Sequence, residues 1–129
     1  MHDFLEVMHT RRSIRRYESR PVPAQLVEQM LGAAIRAPSA HNRQPWRFAV
    51  VEDDAMKERL AVAMGERLRD DLAADGLSAE LIERDAGRSY RRISGAPMLI
   101  LLCMTMADMD SYPDERRSRN EALMAVQSV

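Results

Sequence analysis

Only two stretches of the 129-residue chain read as β-strands, and that scarcity constrains its fold more than any other feature. They are Trp46 to Val51 and Met98 to Met104, both dense in branched, aromatic or other apolar side chains. A two-stranded sheet is marginal by itself and needs further strands or helices against it. The other periodic segments are helical. Asp3 can cap a short helix with Phe4, Leu5, Val7 and Met8 as its apolar positions. Pro23 suits the first turn of a second helix, where Leu26, Val27, Met30, Leu31, Ala34 and Ile35 fall at helical spacing until Pro38 stops it. Asp53 or Asp54 can cap a long helix carrying Met56, Leu60, Met64, Leu68 and Leu72 on one stripe, and Gly76 ends it. Ser78 caps the next, with Leu81, Ile82, Tyr90 and Ile93 apolar, and Gly95-Ala96-Pro97 turns into the second strand. A loop through Tyr112-Pro113 leads to a last helix from about Asp114. Helices alternating with strands predict a mixed α and β domain.

The final helix carries Ala122, Leu123, Ala125, Val126 and Val129, so it is apolar around much of its girth, and no glycine or proline follows its last turn. Such a helix is expected to be buried on several sides. The expectation is that residues 1–129 are part of one domain, cut inside a central helix. Aromatic residues make up only 5% of the chain whereas there are ten methionines, so aliphatic and thioether groups are expected to fill the core.

Charge and cysteine usage exclude some partners. A formal net charge of −1 argues against nucleic acid or an anionic membrane as the main partner. No run approaches the ~18 apolar residues of a membrane span, and no apolar signal-peptide core opens the sequence. The lone cysteine, Cys103, lies in the apolar run Pro97 to Met104 and is expected to be buried and inert. It can form neither an internal disulfide nor a zinc site, so a cytoplasmic, reducing setting is expected. Of the cations, eighteen are arginine and one, Lys57, is lysine. Genome composition accounts for such a bias, and so does recognition of phosphate or carboxylate by planar guanidinium forks.

No nucleophile and base stand at a catalytic spacing. His2, His9 and His41 are scattered without metal-ligand spacing, and the glycines stand alone, so no phosphate-cradling loop exists. Neither a catalytic side chain nor a metal is expected, and any binding site must use side-chain donors. Two segments qualify. Arg11-Arg12-Ser13-Ile14-Arg15-Arg16 can hold the phosphate of flavin mononucleotide (FMN) by charge-assisted hydrogen bonds, although a solvated cationic face at a helix end has the same composition. In the loop from Pro38 to Pro45, Asn42 and Gln44 each offer a donor and an acceptor suited to the edge of a heterocycle. The flanking prolines limit the entropy such a loop loses on binding. The same residues also read as a plain helix-to-strand connection, with Trp46 and Phe48 in the core.

Taken together, Arg-Arg-Ser-Ile-Arg-Arg-Tyr, an amphipathic helix and Ala-Pro-Ser-Ala-His-Asn-Arg-Gln-Pro-Trp-Arg-Phe resemble the opening of nitroreductase-family flavoproteins. Gly95-Ala96-Pro97 before an apolar strand, and Tyr112-Pro113-Asp114 before the helix containing Gln127-Ser128, are similar too. The resemblance implies an incomplete three-layer α-β-α form of the nitroreductase-like α+β fold, with the chain as the N-terminal part of an FMN-binding domain. It also implies a homodimer with the flavin at the subunit interface. By it, Arg11, Arg12, Ser13 and Arg15 face the phosphate, ribityl chain and pyrimidine side of FMN. Pro38, Ser39, Asn42 and Gln44 approach the ring from the partner subunit, while His41 and Arg43 are surface or substrate-side positions. Arg15 near the flavin N1 and C2 carbonyl would stabilise the anionic reduced ring. The implied reaction is ping-pong hydride transfer from NAD(P)H to a small organic acceptor such as a nitro compound or quinone. The Tyr-Pro-Asp segment is similar to the flavin domain of coenzyme F420 biosynthesis, which implies a deazaflavin intermediate as an alternative substrate. A non-catalytic dimerisation or flavin-binding module is a further alternative.

Overall fold

The computed structural model describes residues 3–107 and 109–129, in the order α1 (Phe4–Thr10), α2 (Ala24–Ala34), β1 (Trp46–Val51), α3 (Asp54–Ala74), α4 (Ala79–Ser94), β2 (Leu99–Met104) and α5 (Glu115–Ser128). The predicted helices and strands are all present, and β2 starts one residue later than its apolar run suggests. Two units divide the chain, each discontinuous in sequence: Met1–Ser19 with Glu58–Ala96, and Arg20–Lys57 with Pro97–Val129.

In the first unit, α3 and α4 form a hairpin whose connection follows from its residues. Leu77 donates its N–H to the Leu72 carbonyl (3.2 Å) and Gly76 donates to Ala73 (3.0 Å), with Gly76 at φ 78°. This pair of bonds is a Schellman stop, which needs a left-handed residue where glycine alone avoids a Cβ penalty. Ser78 then caps α4, its hydroxyl accepting from the Leu81 N–H. Arg69 and Glu83 join the helices by a two-bond ion pair at 2.8 and 3.1 Å, and the Tyr90 hydroxyl donates to Glu58. Ala61 and Ala86 are fully buried, while Leu81, Ile82, Tyr90 and Ile93 of α4 are half-buried. Helix α1 buries none of its residues: Phe4, Leu5, Val7 and Met8 stay more than half exposed.

In the second unit, β1 and β2 pair antiparallel, with Trp46 opposite Met104 and Val51 opposite Leu99. Helix α5 packs against both strands, presenting buried Ser118, Ala122 and Ala125. Pro45 and Trp46 are buried at the entry to β1, and the bond from Thr105 N–H to the Pro45 carbonyl (2.8 Å) prolongs the ladder past the strand. The one lysine, Lys57, is buried at 3% exposure; its ammonium pairs with Asp54 (2.7 Å) and donates to the Pro97 carbonyl (3.3 Å).

Two expectations about the interior need correcting. Among the described residues the buried hydrophobic side chains are Val27, Trp46 and five alanines, so small aliphatic groups fill the interior but thioethers do not, and Met30, Met56, Met64, Met106 and Met124 are exposed. Cys103 is exposed rather than buried. Its register partner is the exposed Arg47, so this part of the ladder faces away from cover, which a continuous apolar run does not reveal. The last helix is likewise buried along one stripe only, since Leu123 and Met124 are exposed.

Replacing Gly76 by alanine is expected to destabilise the chain by about 1 kcal/mol in urea unfolding, because the left-handed stop then carries a Cβ.

Candidate functional site

The loop between α2 and β1 holds all the left-handed non-glycine backbone among the described residues. Three non-glycine residues there are left-handed: His41 (φ 50°), Asn42 (φ 53°) and Gln44 (φ 49°). Asparagine and histidine tolerate that region better than most residues, but for glutamine it costs on the order of 1 kcal/mol. Ser39, in extended geometry ahead of the turn Ala40–Asn42, supplies the compensation. Its carbonyl accepts from the Asn42 N–H at 3.0 Å and its hydroxyl accepts from the Gln44 N–H at 3.0 Å. The Arg43 N–H closes the turn onto the Ala40 carbonyl (3.1 Å), and the Gln44 side-chain amide donates to Asn42 Oδ1 (3.1 Å). Asn42 and Gln44 thus stand as one exposed amide pair, in which that bond leaves Asn42 Nδ2 as a further donor and Gln44 Oε1 as a further acceptor. Pro38 is exposed and Ser39 half-buried at the start of the loop.

A second strap holds the loop from the β2 side. Asp110 receives a forked ion pair from Arg43, with Nη2 at 2.5 Å and Nε at 3.4 Å, and His41 Nε2 lies 3.9 Å away. The Ser118 hydroxyl of α5 donates to the Asp110 carbonyl (2.5 Å), which ties the same residue to the helix that covers the sheet. Hydrogen bonding from Arg43, then the charges of Arg43, His41 and Arg117, holds the Asp110 carboxyl below its ordinary value. Nearby, the Arg117 guanidinium sits 4.0 Å above the Tyr112 ring, and the Tyr112 hydroxyl donates to Glu121 (3.2 Å). Sequence reasoning passed over Asp110. Its only signal is the strand register, which extended beyond Trp46 and Met104 brings the residues before β1 alongside those after β2.

The cationic segment belongs to the other unit. Arg11 is the C-cap of α1, donating its N–H to Val7 (3.0 Å), and the chain from Arg12 to Tyr17 has no regular structure. Arg11, Arg12, Ser13 and Arg15 are all exposed. Only Arg11 therefore stands at a helix end. Arg15 lines a cavity of about 780 Å³ together with Arg16, Tyr17, Arg88, Arg91, Arg92 and Gly95. His9 and His41 are exposed, and His2 lies outside the described residues. Among the described residues, no three of His, Cys, Asp and Glu gather as metal ligands.

Residues 8–129 match the model of the family described as "Nitroreductase family". The chain belongs to that family. It is 36% identical over 105 residues to an NADH dehydrogenase of Thermus thermophilus, a match covering 81% of this chain and 40% of that protein. A BluB-like flavoprotein from Clostridium difficile superposes with a TM-score of 0.69 at 18% identity, covering 99% of this chain and 66% of the other, which shows the fold. Iodotyrosine deiodinase, solved with FMN and 3-iodo-L-tyrosine, superposes with a TM-score of 0.61 at 28% identity, covering 95% of this chain and 65% of the other. The chain spans 40% or less of the curated relatives it matches and about two thirds of the solved chains. The nitroreductase-like fold expected from the paired motifs is the fold observed. No helix among the described residues is long and apolar enough to cross a membrane.

The Arg43–Asp110 strap sets a pH dependence. A folded-state carboxyl held below its unfolded value contributes stability above about pH 4 that disappears as pH falls through the folded value. Urea unfolding from neutral to acid pH is expected to show this loss in the unaltered chain. The Asp110→Asn variant should be less stable at neutral pH and lose less on acidification.

Proposed function

We propose that this chain forms the N-terminal, FMN-holding part of a homodimeric oxidoreductase that takes electrons from a reduced nicotinamide and delivers them to a small organic acceptor. The observation that carries this reading is the loop from Ser39 to Gln44. It accepts left-handed backbone at His41, Asn42 and Gln44 and thereby displays two side-chain amides on a rigid turn. In a mere connection, glycine would relieve strain of this kind without the Ser39 bonds; at a ligand-binding loop the strain serves pre-organisation. The donor set fits FMN chemically. Exposed guanidiniums at Arg11, Arg12 and Arg15 with the Ser13 hydroxyl suit a phosphate and a polyol chain, and Asn42 and Gln44 suit the edge of a pyrimidine.

In this reading Arg11, Arg12 and Ser13 hold the phosphate, and Arg15 offers positive charge to the pyrimidine side. Pro38, Ser39, Asn42 and Gln44 frame the ring from the partner protomer. FMN, when bound, supplies the hydride chemistry, so the chain's own work is binding, orientation and electrostatic tuning. Support comes from the FMN-bound iodotyrosine deiodinase at 28% identity and from relatives named for NADH-dependent chemistry. One of these is a putative NADH dehydrogenase/NAD(P)H nitroreductase of Methanothermobacter thermautotrophicus, 47% identical over 58 residues.

Titrating FMN into the purified chain and following quenching of flavin fluorescence tests the assignment. Binding is expected, with Arg11→Gln and Asn42→Leu each weakening it by about tenfold or more, as for loss of a hydrogen bond to a charged or buried group. A folded chain that leaves FMN fluorescence untouched, or variants that bind as tightly as the parent, would remove the basis for the proposal.

A further inference from the structure

The cavity at the C-terminal end of α4 is built almost wholly from guanidinium groups. Arg15, Arg16 and Tyr17 enter it from the segment after α1, and Arg88, Arg91 and Arg92 from α4 itself, with Gly95 at its margin. No carboxylate lines it. Arg88 has Asp85 at 3.6 Å, but among the described residues Arg15, Arg16, Arg91 and Arg92 form no ion pair. Elsewhere in the same unit Arg67 pairs with Asp71 (2.9 Å) and Arg69 with Glu83 (2.8 Å), whereas Arg11, Arg12 and Arg59 form no ion pair among the described residues but are not gathered in one concavity with Arg88, Arg91 and Arg92. Two of the five cations have an ordinary explanation, since Arg91 and Arg92 complete the last turn of α4 and complement its dipole. That leaves unexplained why two more arginines from a separate segment face the same concavity, where like charges repel. A concentration of unmatched guanidiniums is stabilised by a ligand with several negative charges, and phosphate oxygens match the planar fork in pairs. The volume, about 780 Å³, lies in the range of small-molecule sites. Tyr17 adds one aromatic ring, half exposed at 49%, with its hydroxyl donating to the Ile14 carbonyl (3.4 Å). Such a ring is a stacking platform for a nucleobase.

We propose that this cavity binds a nucleotide bearing two or more phosphate groups, with Arg16, Arg88, Arg91 and Arg92 on the phosphates and Tyr17 against the base. The site is separate from the flavin contacts proposed above, with which it shares only Arg15. Variants at Arg91 and Arg92 therefore distinguish failure of one from failure of the other.

Calorimetric titration of the full chain with ADP and with inorganic pyrophosphate tests the proposal. Both should bind, ADP more tightly, and Tyr17→Ala should abolish the difference between them. The double variant R91Q/R92Q should weaken ADP by about tenfold or more while leaving FMN affinity unchanged. In the unaltered chain, ADP should shield Arg16, Arg88, Arg91 and Arg92 from phenylglyoxal, read by mass spectrometry, and leave Arg59 and Arg67 reactive. That readout decides the matter even if the double variant does not fold. Absence of shielding overturns the site. Equal affinity for ADP and pyrophosphate overturns the nucleotide assignment, and a parallel loss of FMN binding in R91Q/R92Q assigns the cavity to the flavin instead.

Discussion

The antiparallel pairing of Trp46–Val51 with Leu99–Met104 is the interaction on which its unit depends. It joins segments far apart in sequence, so its hydrogen bonds form only after a long loop has closed, at an entropic cost that local helices do not meet. Once the register is set, much else is determined. The Pro45 carbonyl receives the Thr105 N–H just beyond the last pair, and the loop before β1 lies beside the loop after β2. Arg43 then meets Asp110, and Ser118 meets the Asp110 backbone. A two-stranded ladder does not bury enough surface to persist by itself, and α5 supplies cover through Ala122 and Ala125, whose small side chains let the helix approach closely.

Elements governed by near-neighbour chemistry were legible in the sequence. Asp3, Ser78 and Asp114 accept from the backbone of the helices they precede, Asp53 accepts from the Met56 N–H, and Gly76 adopts the left-handed geometry its position at a helix end suggests. What escaped was governed by cover. Phe4, Leu5, Val7 and Met8 have the spacing of a buried face, yet α1 buries none of them. Cys103 sits within an apolar run, yet it faces outward opposite Arg47. Apolar periodicity states that a face prefers burial, and it does not name the surface that covers it.

The candidate site divides the same way. The amide pair of Asn42 and Gln44 was foreseeable from residue type, but the left-handed backbone that displays it was not, since Gln44 is not a residue that favours that geometry. Ser39 explains it in part, because a hydroxyl that accepts from Gln44 and a carbonyl that accepts from Asn42 make an unfavourable conformation locally stable. The basic stretch from Arg11 to Arg16 was legible as a cationic segment, whereas its irregular course and the meeting of Arg15 and Arg16 with the end of α4 required coordinates.

The solitary lysine has a practical corollary. Lys57 places its ammonium beneath the surface, between Asp54 and the Pro97 carbonyl, at the first turn of α3. Acylating reagents aimed at ε-amines can reach it only when that turn opens, so the speed of its modification is a clock for local opening rather than a measure of accessible surface. A chain rich in arginine thus carries a single built-in ε-amine probe of its own breathing.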